Sequence, residues 1–165
     1  MPQEYTLQQA LQQAIQAKKD LRDFYREAAE TTEDPAGKKV LQRLCDEVGE
    51  NIGKFFKHYQ KNDLGSIDEF LATPPRSGSV MLVELRKSLN KNVHSLRARE
   101  LAMCEEKAME ESFRLAAKQM VDPMARSVFM EVADDAARHF AIIESEYEYQ
   151  VTRVHETDVA TYVRE

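Results

Sequence analysis

Residues 24–48 read FYREAAETTEDPAGKKVLQRLCDEV, and residues 112–136 read SFRLAAKQMVDPMARSVFMEVADDA. The two align without a gap at a constant offset of 88 residues. Arg26, Ala28, Ala29, Asp34, Pro35, Val40 and Asp46 meet Arg114, Ala116, Ala117, Asp122, Pro123, Val128 and Asp134, and farther on Tyr59 meets Tyr147. A shared frame of Ala-Ala, Asp-Pro and Val at identical spacing points to duplication of one helix hairpin. In each copy an Asp-Pro turn separates two apolar stripes. The Asp suits a helix cap, and the Pro suits the first helical position.

Apolar residues at helical spacing extend these cores into four long helices. The first runs from Thr6, its expected N-cap, to Thr31, with the inward stripe Leu7, Leu11, Ala14, Lys18, Leu21, Tyr25, Ala28. The second runs from Pro35 to about Tyr59 and carries Leu41, Leu44, Val48, Asn51, Phe55. The third covers about 95–120, with Ala102, Glu106, Met109, Phe113, Ala116. The fourth runs from Asp122-Pro123 to about His155, with Phe129, Val132, Ala136, His139, Ile143, and the tail TDVATYVRE holds one more turn. Between the hairpins, Ser66 caps a short helix through IDEFL, TPPRSG is loop, and VMLVELRKSL forms another short helix. Hairpin repeats at about 6–59 and 95–155, joined by a long connection, describe a single all-α domain over 1–165: a four-helix bundle with one crossover.

Composition agrees. With 165 residues, 42% hydrophobic and 32% charged, the chain suits one soluble domain. It has only 5 Gly, 5 Pro and no Trp, which favours helices throughout. A net charge of −6 argues against a broad nucleic-acid surface, which needs clustered Lys and Arg. No stretch has the apolar length of a signal peptide or a membrane span, so a cytoplasmic location is expected. Cys45 and Cys104 form no C-x-x-C pair, and both are expected as buried, reduced thiols.

Each stripe turns polar or small at one level. The offset pairs Lys18 with Glu106, Val48 with Ala136 and Asn51 with His139. All six lie on inward stripes near mid-helix and should converge in one layer. Tyr25, Met109, Phe113 and Tyr147 are expected in the core. His58, His94 and His155 lack ligand spacing and read as surface or helix-end residues. CEEKAMEE, apart from Glu106, and IESEYEY read as solvated faces, with Glu144 and Glu148 able to collect weakly bound cations.

Phe-Tyr, a paired Ala, a short Asp-Pro turn and an acidic run before the layer position, repeated with Ser112-Phe113 in place of Phe-Tyr, resemble the rubrerythrin-like branch of the ferritin-like superfamily. The matching segments cover about 100 residues. The resemblance implies a ferritin-like bundle, a homodimer and a di-iron oxidoreductase centre. Such a centre takes one Glu from each of two helices and Glu-x-x-His from each of the other two. Carried over by position, these ligands become Lys18, Val48-x-x-Asn51, Glu106 and Ala136-x-x-His139, so two of six survive. The further Glu of the third helix falls at Met109, and the four cysteines of a rubredoxin module are missing.

Three functional readings follow. The first is a non-catalytic protein whose di-iron centre is dismantled, with no metal or cofactor. There the Lys18 ammonium replaces the metal's charge and pairs with Glu106, while Asn51 and His139 satisfy the remaining hydrogen bonds. The second is a metal-binding oxidoreductase or iron- and peroxide-handling protein using Glu106 and His139. Its donor set is short, because iron and zinc sites usually draw three or four protein ligands. Asp135 is a lightly weighted addition, because ideal geometry leans it to the stripe's flank. The third is a module binding an apolar small molecule in the former metal cavity.

Overall fold

A computed structural model describes residues 7–88 and 94–163, and the side chains of residues 94, 95, 150 and 153–163 lie outside that description. The proposed Thr6 cap, the side chains of His94 and His155, and the docking of the tail therefore fall outside the described residues. Six helices follow one another: α1 (Leu7–Thr31), α2 (Pro35–Phe56), α3 (Ile67–Leu71), α4 (Val80–Lys87), α5 (His94–Gln119) and α6 (Pro123–Val163). There is no strand among the described residues. No helix of the described residues is long and apolar enough to cross a membrane.

Local chemistry sets the breaks. Thr32 folds its hydroxyl back to the Ala28 carbonyl at 2.6 Å as α1 ends. Asp34 then caps α2, its carboxylate accepting from Gly37 N at 3.1 Å, with Pro35 as the first helical residue. Asp122 opens α6 one repeat later, accepting instead from the residue two positions on, Met124 N, at 3.0 Å. Gly65 takes a φ of 71° before α3, a conformation that favours glycine. Ser66 and Glu69 follow with a reciprocal capping box. α2 ends at Phe56, three residues short of the expected Tyr59. α6 continues unbroken through the tail to Val163, because nothing after Pro123 breaks the helix.

α1 packs mainly on α2 and α5 mainly on α6, and the two hairpins meet along α1–α5 and α2–α6. The connection is strapped to α1 by polar contacts. Lys19 Nζ donates to the Thr73 carbonyl at 3.0 Å, and Arg22 donates to the Leu71 carbonyl at 3.1 Å. Arg76 pairs with Asp20, and Arg86 of α4 pairs with Glu27 at 2.9 Å. Phe55, Phe113 and Phe129 form a ring cluster between the hairpins, with centroids 5.1 to 5.9 Å apart.

The four inward stripes are buried nearly as expected, with three corrections. Ala117, not Ala116, is the buried member of its pair. Tyr147 is half-buried at the rim, where its hydroxyl donates to Glu100 at 3.1 Å. Cys45 is buried but Cys104 is exposed, because residue 104 lies off the inward face that carries Ala102 and Glu106.

Candidate functional site

The layer forms where the stripes predict it. Lys18, Glu106 and His139 are fully buried, Asn51 is nearly so, and Val48 and Ala136 fill space beside them. Each long helix contributes one polar side chain: α1 Lys18, α2 Asn51, α5 Glu106 and α6 His139. Burial of so many polar groups demands partners, and the partners come from the opposite hairpin.

The contacts are crossed pairs that obey the 88-residue offset. Tyr25 Oη donates to Glu106 Oε1 at 2.7 Å. The repeat-related pair is Phe113 and Lys18, and Lys18 Nζ lies 5.6 Å from the Phe113 ring centroid, within cation–π range. His139 Nε2 meets Glu47 Oε2 at 2.8 Å. Its repeat-related pair is Asn51 and Asp135, and Asn51 Nδ2 donates to Asp135 Oδ2 at 2.9 Å. Two equivalent positions thus hold different chemistry in the same geometry. This is the pattern that a pseudo-twofold axis between duplicated hairpins produces.

The expected Lys18–Glu106 ion pair is not formed as a direct contact. Lys18 Nζ has no hydrogen-bond partner in the protein, and Glu106 is held by Tyr25. The repeat geometry gives the reason. Position 18 aims its side chain at ring 113 just as position 106 aims at ring 25, so each reaches toward the opposite hairpin's aromatic residue. Glu106 is still the largest charge acting on Lys18. Burial pushes the Lys18 amine below its ordinary range, and the charges of Glu106, Asp135 and Glu105 act against that push. Burial, with the charge and hydrogen bond of Glu106, holds the Tyr25 phenol well above its ordinary range.

His139 lies between two carboxylates. Nε2 faces Glu47, and Nδ1 is 3.3 Å from Glu106 Oε1 without hydrogen-bond alignment. An ionised carboxylate only accepts, so the Nε2 contact requires a proton on Nε2. Burial pushes the Glu47 carboxyl up, but the His139 hydrogen bond and the charges of His139, Arg138 and Arg43 outweigh it and leave Glu47 below its ordinary value. Asp135 behaves alike: burial raises it, and Asn51, Lys54 and Arg138 bring it below the ordinary value. Lys54 bridges Asp135 at 3.4 Å and Glu131 at 2.7 Å, closing the rim of the layer.

This donor set does not fit a metal centre. Both nitrogens of His139 face carboxylates, Val48 and Ala136 offer no ligand atom, and the Lys18 ammonium opposes a cation in the same layer. Among the described residues no group of three or more His, Cys, Asp or Glu is arranged to hold a metal ion.

Four participants were not singled out from sequence: Glu47, Lys54, Arg138 and the Tyr25 hydroxyl. A signal existed for the first. The offset pairs Glu47 with Asp135, each four residues before a layer position, so both carboxylates lie one turn away on the same flank. Asp135 does lean to the flank, where it serves Asn51 of the other hairpin. Comparison of the chain with protein-family models, curated proteins and solved structures found no match.

Proposed function

We propose that this is a rubrerythrin-like member of the ferritin-like superfamily in which a metal-free polar network occupies the di-iron position. On this reading it is non-catalytic and serves a structural or partner-binding role. The carrying observation is the set of crossed contacts Tyr25–Glu106, Glu47–His139 and Asp135–Asn51, which commit the surviving ligand-type side chains to partners within the protein. The Lys18 ammonium supplies positive charge near Glu106 without a metal ion. The same resemblance extends to a cytoplasmic homodimer.

Metal analysis of protein purified from iron-supplemented cells tests the reading. The expected result is iron well below one atom per chain. A stoichiometry near two irons per chain would overturn it in favour of an oxidoreductase or iron-handling protein built on Glu106 and His139.

A further inference from the structure

Four buried polar atoms of the layer have no hydrogen-bond partner in the protein: Lys18 Nζ, Asn51 Oδ1, Glu106 Oε2 and His139 Nδ1. One comes from each long helix, and the offset relates them in pairs, Lys18 to Glu106 and Asn51 to His139. They are also linked through their neighbours. Glu106 lies 3.3 Å from His139, Glu106 and Asp135 are the leading charges on Lys18, and Asp135 is hydrogen-bonded to Asn51. The remaining orphan, Asp23 Oδ1, belongs elsewhere on α1, with the Arg22 guanidinium 3.6 Å away.

The four atoms define a guest. Lys18 offers a proton donor, while Asn51 Oδ1 and Glu106 Oε2 accept. His139 Nδ1 accepts when the ring is neutral with its proton on Nε2, and donates when the ring is charged. A molecule that joins them must therefore donate and accept at once and be small enough for a core in which Val48, Ala136 and Phe113 are also buried. We propose that the layer binds an ordered internal water on the pseudo-twofold axis between the hairpins, hydrogen-bonded to at least three of these four atoms. Buried waters characteristically make about three such bonds to groups that the protein leaves unsatisfied. Its two donor and two acceptor sites suit a site drawn from four helices. The water then links at least three of the four long helices at one point, a task that a metal performs in a carboxylate bundle.

This inference rests on the metal-free reading, and one experiment separates their failures. A crystal structure of the full chain at high resolution is collected with anomalous data at the iron edge. The expected result is a single water-sized peak at about 3 Å from three or four of the named atoms, with no anomalous signal. A peak with iron-edge anomalous signal overturns both readings. Direct pairing of Lys18 Nζ with Glu106 Oε2 or Asn51 Oδ1, with no peak between them, overturns the water alone. So does elongated density for a larger guest.

Discussion

Glu106 carries the most at the level of single residues. It is fully buried, accepts from Tyr25, adjoins His139 and is the leading opposite charge on Lys18. Replacing it with Ala strands the Tyr25 hydroxyl and the Lys18 ammonium, and removing one partner from a buried charged cluster typically costs about 3–5 kcal/mol. Glu106→Ala should therefore lose about 3 kcal/mol in denaturant unfolding. Adding Lys18→Met, which deletes the stranded ammonium at similar volume, should recover at least about 1 kcal/mol of that loss. Additive losses would mean that the two positions act independently. The pH dependence of Lys18→Met has a definite sign. A buried amine with a lowered pKa costs stability while it is charged, and that cost fades as pH rises through the folded value toward the unfolded one. The stability of the variant relative to the wild type should thus be highest at neutral pH and fall as pH rises toward the ordinary lysine range. A relative stability that rises with pH would refute the burial account of Lys18.

At the scale of elements, helix positions were legible because the local signals agree with one another. Asp34-Pro35 and Asp122-Pro123 cap and start α2 and α6, and Ser66 and Glu69 box α3. Asp34→Ala should cost about 1 kcal/mol in thermal or denaturant unfolding, the usual worth of an N-cap, and a neutral result would show that the cap is redundant. Which face of α5 carries Cys104, and whether Ala116 or Ala117 faces inward, depended on helix rotation that a stripe of alternating spacings leaves loose. The end of α2 was likewise misplaced, because Lys57, His58 and Tyr59 continue a helical pattern that the chain leaves after Phe56.

For the whole molecule, duplication explains both what was legible and what was not. All six positions that the offset singles out are buried, since inward stripes fix burial. The offset did not by itself reveal the partners, since these come from the other hairpin and depend on how the two hairpins are set together. Opposite charge in one layer matches Lys18 to Glu106 in sequence, but symmetry carries each toward the aromatic residue of the other hairpin. The same crossed logic makes the hairpin interface sensitive to acid. Glu47 and Asp135 titrate below their ordinary values in the folded chain, so they contribute stability that is present above the unfolded pKa and lost as pH falls through the folded one. Wild-type unfolding midpoints should therefore fall on acidification through the carboxylate range. A Glu47→Gln, Asp135→Asn double variant, less stable at neutral pH, should show a flatter profile. Parallel profiles would place the acid sensitivity elsewhere.

On the metal-free reading, the polar layer needs no metal ion for its stability. Any ion that binds only the folded protein raises its stability by mass action, in proportion to the logarithm of its concentration above the dissociation constant. Denaturant unfolding of chelator-treated protein, repeated anaerobically across increasing ferrous iron, reads this directly. One midpoint is expected at every iron concentration. A midpoint that climbs steadily with iron, and that Glu106→Ala abolishes, would contradict it.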